Sequence, residues 1–83
     1  MDKLTTLKAA INARHEEIFD YQINIDNYLR ALEKIRVEHA DKPGMNEFAE
    51  NLSKLHDSCK TEQLKAIIIR DVIADQIAEL EAT

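Results

Sequence analysis

His56 and Cys59 stand three residues apart in the second half of the chain, which puts two metal-binding side chains on one face of a helix. A structural zinc site takes four such ligands and a catalytic one three. Neither His15 nor His39 comes level with this pair when the chain folds back at its midpoint, so no metal and no cofactor is expected. Cys59 then reads as a small core residue and His56 as a residue of the helix surface. His15-Glu16-Glu17 opens like a His-Glu metal-binding helix, but that pattern needs a second histidine four positions on, where this chain has Phe19.

Asp20 with Asp26, and Glu16 with Glu17, are the carboxylate pairs that acid–base chemistry would use. Such chemistry needs a concave, partly dry site to shift pKa values, and a narrow helical hairpin offers none. The chain has one glycine and no tryptophan, hence no glycine-rich phosphate loop, and no Ser or Cys nucleophile has a base at a useful spacing. The expectation is a protein without catalytic residues. Arg14 interrupts an apolar stripe and is expected to pair with Asp71 or Asp75, or else to face an anion-binding groove. Tyr21 and Tyr28 read as amphipathic core residues or members of a polar layer.

The element that organises these side chains is Asp41-Lys42-Pro43-Gly44, which holds the only proline and the only glycine of 83 residues. Proline fixes φ, glycine reaches positive φ freely, and Lys42 before the proline is pushed out of the α region. A chain reversal is expected there, between a first helix over about 3–40 and a second over about 46–81, within a single domain spanning 1–83. An 83-residue core is only marginally stabilising alone. Hydrophobic residues make up 45% and charged residues 33%, a globular balance, and no apolar run approaches the ~20 residues of a membrane span. Met1-Asp2-Lys3-Leu4 lacks the basic-then-apolar order of a secretory leader, and one cysteine allows no internal disulfide; a cytoplasmic protein is expected.

Leu4, Leu7, Ile11, Arg14, Ile18, Tyr21, Ile25, Tyr28, Leu32 and Ile35 follow alternating three and four spacings, and only Arg14 is neither apolar nor aromatic. That repeat makes a coiled-coil-like seam. Asp2, Thr5 and Thr6 are candidate N-caps. Residues 21–27 alternate with period two, as a strand would, but an isolated strand would have no partner for its backbone, so a helix is expected. Asn24, Asp26 and Asn27 are weak helix formers, and a break there would give a three-helix bundle as the second choice of fold.

In the second arm, capped by Gly44 or Asn46, the corresponding seam reads Phe48, Leu52, Leu55, Cys59, Glu62, Ala66, Ile69, Ile73, Gln76 and Leu80. Reversal about residues 43 and 44 sets Ile18 level with Ile69, Leu32 with Leu55, Ile35 with Leu52, and Lys8 beside Glu79. Six apolar residues off both seams gather near the middle of the hairpin: Phe19, Ile23, Leu64, Ile67, Ile68 and Val72. At ~25 cal/mol per Å² their burial is worth of order 10 kcal/mol before entropy, so they are expected to form the interface of a homodimeric four-helix bundle, antiparallel or end-matched. Phe19, Ile23, Leu64 and Ile68 would then lie at its centre.

The net charge of −5 disfavours direct binding to nucleic acid. Residues 41–83 hold five Lys or Arg against nine Asp or Glu, and Asp71, Asp75, Glu79 and Glu81 follow one another without a base between them. This acidic face is the expected contact for a larger, basic protein, itself of the nucleic-acid-binding kind. The leading expectation is a non-enzymatic protein–protein interaction module, a small acidic adaptor or inhibitor of the sort a phage or other mobile element encodes. In architecture alone the hairpin resembles secretion needle subunits, their helical co-chaperones and short bacteriophage accessory proteins. That likeness implies a structural or chaperone-like subunit, although needle subunits carry a longer polar turn than Asp41–Gly44. A small-ligand sponge at a dimer interface is the third class.

Overall fold

The computed structural model describes residues 2–82, which form an all-α hairpin with no strand among them. Helix α1 runs Lys3–Lys34, continues into a π-helical segment Ile35–His39, and is followed after the turn by helix α2, Met45–Ala82. Asp2 is the N-cap of α1: its Oδ1 accepts from the Thr5 amide at 2.7 Å and its carbonyl from the Thr6 amide at 3.2 Å. The backbone hydrogen bond lowers the Asp2 carboxyl below its ordinary pKa.

Helix α1 is unbroken through Asn24–Asn27, so the three-helix alternative falls. Local propensity there is overridden by continuous packing on both sides, and Gln22 Nε2 donates to Asp26 Oδ1 across one turn at 3.0 Å. The departure from α geometry comes later. The Ile35 amide is shared between the carbonyls of Ala31 and Leu32, and the π-helical segment begins at that residue.

Helical geometry ends at His39 and resumes at Met45. The Lys42 amide bonds the His39 carbonyl at 3.0 Å, the Met45 amide the Lys42 carbonyl at 3.3 Å, and Gly44 takes φ +81°, which costs a glycine nothing. The reversal is therefore centred near Lys42, earlier than residues 43 and 44. Register changes accordingly. Cys59 Sγ reaches the Tyr21 carbonyl at 3.6 Å and Gln63 Nε2 the Ile18 carbonyl at 3.2 Å. These contacts fall seven and six residues earlier on α2 than the expected levels of Tyr21 and Ile18, more than one helical turn, part of it spanned by the side chains themselves.

All ten seam residues of α1 are partly or fully buried, led by Ile25 at 5% exposure and Ile35 at 9%. Helix α2 departs from expectation. Leu52, Cys59, Ala66, Ile73 and Gln76 are partly or fully buried as expected, but Phe48, Leu55, Glu62, Ile69 and Leu80 are exposed. The other inward column lies one residue on: Ala49, His56, Gln63, Arg70 and Ile77. The reason is steric and polar together. Ala66, 4% exposed, lets the backbones approach, while Gln63 and Cys59 satisfy their polar atoms on α1 carbonyls.

The hairpin is long and thin, 62 × 18 × 14 Å, with a radius of gyration of 18.6 Å. A compact chain of this length would have about 12 Å. Its accessible surface is 6156 Å², against about 5,000 Å² for a compact monomer of this mass. No large side chain among the described residues is buried to below 2% exposure. The buried core among the described residues is Ile25, Ile35, Leu52 and Ala66.

Candidate interaction surface

The surface of interest follows from which columns the hairpin uses. Positions 63, 66 and 70 face α1, so at about 100° per residue Ile68 points directly away from it. Leu64 and Val72 flank Ile68 one turn either side, and Ile69 adjoins it. All four stand out: Leu64 is 56% exposed, Ile68 53%, Val72 50% and Ile69 48%. Ile67, nearer the seam, is half-buried. Phe48 and Leu55, in line with Ile69 at seven-residue steps, are also about half exposed.

Phe19 and Ile23 are exposed too, at 65% and 43%. By the same winding Ile23 points away from α2 on the back of α1, opposite in direction to Ile68, whereas Phe19 and Leu64 share the edge along which Gln22 meets Gln63 at 2.9 Å and Lys8 meets Glu81 at 3.9 Å. The six off-seam residues thus do not make one flat face. The dense part is on α2: Leu64 and Val72 lie one turn either side of Ile68, and Ile69 beside it is exposed as well. On α1, Ile23 is the one exposed apolar neighbour of Phe19.

The expected acidic face is divided. Asp71 is held by Arg70 of its own helix, with Nη2 at 3.0 Å, and Glu81 is drawn across to Lys8. Asp75 and Glu79 stand exposed on the outer side, in line with Asp71 at four-residue steps. Glu81 and Lys8 supply the cross-helix compensation expected at the acidic end, with Glu81 in place of Glu79.

Arg14 is a correction. It lies in the seam, half-buried, but pairs with Glu17 of its own helix at 3.0 Å and not with Asp71 or Asp75, because a three-residue step within α1 is nearer than any α2 carboxylate in the observed register. His56 is a second correction: its side chain is only 15% exposed, since it belongs to the inward column of α2, and its Nδ1 lies 3.2 Å from Asp57 Oδ1. Cys59 is half-buried beside α1. Among the described residues no three His, Cys, Asp or Glu gather as a metal cluster. Tyr21 is half-buried, and desolvation, followed by the nearby carboxylates of Glu17 and Glu62, raises its phenol above the ordinary value.

The depressions on the molecule are open grooves along the helices, one bounded by Lys60, Thr61, Gln63, Leu64 and Ile67 at the edge of the apolar patch. Among the described residues no helix is long and apolar enough to cross a membrane. The fold and surface define a class, the all-α hairpin with an exposed apolar outer face. Comparison with known protein families, with curated proteins and with solved structures finds no match to this chain.

Proposed function

We propose that the chain is a non-enzymatic protein–protein interaction module, a small acidic helical adaptor or inhibitor. The observation that carries this reading is the arrangement of α2, whose large aliphatics Leu64, Ile68, Ile69 and Val72 lie outside while alanine, cysteine, histidine and glutamine fill much of its inner side. Apolar side chains gathered on an outer face mark a contact surface. Asp75 and Glu79, one and two turns beyond this patch, favour a larger partner with a basic surface, since opposite charge speeds encounter and disfavours wrong partners.

Affinity capture with the full chain as bait tests the reading. A specific protein should be retained by the wild type, lost with Ile68→Asp, and weakened by Asp75→Lys with Glu79→Lys in a salt-dependent way. Retention of the same proteins by all three baits would overturn it.

A second reading is supported by a different observation. Phe48, Leu55 and Ile69 lie on one column of seven-residue steps, interrupted by Glu62, that the hairpin leaves half exposed. A client's amphipathic helix laid along it would be shielded in the manner of a chaperone or structural subunit. Loss of capture with Leu55→Asp but not with Ile68→Asp would favour that reading.

A further inference from the structure

We propose that the outer face of α2 is occupied by a second copy of the chain, whose own α2 crosses it antiparallel about a two-fold axis at Ile68. The proposal rests on the reading that the exposed aliphatics of α2 are a contact surface, and it names their occupant. Leu64, Ile68 and Val72 form a ridge of four-residue steps. Two such ridges interlock at a crossing angle of about 50°, the commonest way for helices to pack.

A two-fold contact is self-complementary, so whatever precedes Ile68 must suit whatever follows it. The sequence meets this condition. Leu64 and Val72 lie four residues either side of Ile68, Lys65 and Asp71 three, Ile67 and Ile69 one, and Thr61 and Asp75 seven. Antiparallel seating sets Leu64 against the partner's Val72 and Lys65 opposite the partner's Asp71, each pair occurring twice. Parallel seating would set Lys65 against its own copy and Asp71 against its own copy. Charge therefore selects the antiparallel sense.

Lys65 and Asp71 already have partners within α2, Glu62 at 2.9 Å and Arg70 at 3.0 Å. The rim is thus a set of short networks that a second copy extends.

Sedimentation equilibrium of the purified full chain from about 1 to 200 μM, with helicity followed by circular dichroism, tests the proposal. The wild type should dimerise and Ile68→Asp should sediment as a helical monomer. Lys65→Glu and Asp71→Lys should each weaken the dimer about tenfold, and the double variant Lys65→Glu/Asp71→Lys should recover most of that loss, because each new glutamate then faces a new lysine of the partner. The charge pair decides the matter even if Ile68→Asp fails to fold. A wild type that stays monomeric at every concentration, a dimer indifferent to Ile68→Asp, or a double variant as weak as the singles would each overturn it. A monomeric wild type that still captures a partner removes only the second copy; a monomeric wild type that captures nothing removes the contact surface as well.

Discussion

Helices α1 and α2 carry similar apolar repeats and use them in opposite ways. Along α1 and the π-helical segment after it, the large side chains Ile11, Ile18, Ile25, Leu32 and Ile35 turn inward, and the exposed apolar residues Phe19, Ile23, Leu29 and Val37 are scattered. Along α2 the inward side mixes Leu52 and Ile73 with Ala49, His56, Cys59, Gln63 and Ala66, while Leu64, Ile68, Ile69 and Val72 turn outward. A broad ridge against a narrow one lets two helices approach closely. The difference teaches that α1 places most of its large apolar side chains inside the hairpin, whereas α2 leaves many of its own on the outer side.

Substitutions on the two helices should break this symmetry unequally. Ile25→Ala, at a site 5% exposed, should cost about 2–4 kcal/mol in urea denaturation, whereas Ile68→Ala at a dilution where the chain is monomeric should cost well under ~1 kcal/mol. Equal losses would mean that α2's aliphatics are packed within the single chain. Ala66→Leu tests the narrow side of the seam. Extra methyl groups at a position 4% exposed should cost about 1–3 kcal/mol by forcing the helices apart, and no loss would show that close approach is unimportant.

Gln63→Ala should cost about 1 kcal/mol, since it removes the bonds to the Ile18 carbonyl and the Gln22 amide oxygen. A double-mutant cycle with Gln22→Ala should give a coupling smaller than the single loss, because the carbonyl bond does not depend on Gln22. The smallest effect is expected at the N-cap. Asp2 has its pKa lowered in the folded chain, so its contribution is complete above the ordinary carboxylate pKa and is lost as pH falls through the lowered folded value. Hydrogen exchange of the Thr5 amide, compared between wild type and Asp2→Ala, should show fraying in the variant at neutral pH and a shrinking difference on acidification.

The inner face of α1 was legible because its repeat is almost wholly apolar, with Arg14 as the lone charged member. The turn was legible because proline and glycine occur once each and together. One column of α2, Leu52 to Ile73, was legible for the same reason as α1. The other was read one residue early: Phe48, Leu55 and Ile69 are the apolar members at that spacing, and periodicity alone cannot tell a stripe facing the neighbouring helix from one facing elsewhere.

What moved the true column to Ala49, His56, Gln63 and Arg70 is close backbone approach together with hydrogen bonds from side chains to carbonyls, neither of which a hydropathy pattern carries. The slip in register came from where helical geometry stops at His39 and resumes at Met45, and the π-helical segment left no mark in residue types. Leu64, Ile68 and Val72 were legible as surplus, since no two-helix arrangement could bury them. Their separation from Ile23 needed the observed seam.

Radical footprinting of side chains, read by mass spectrometry at low and at high protein concentration, tests the central claim most directly. Ile18 and Ile25 should be protected at every concentration, whereas Leu64, Ile68 and Val72 should be labelled when the chain is dilute and become protected as it associates. Protection of Leu64 and Ile68 in a dilute, monomeric chain would contradict the account, because those side chains would then lie inside a single molecule.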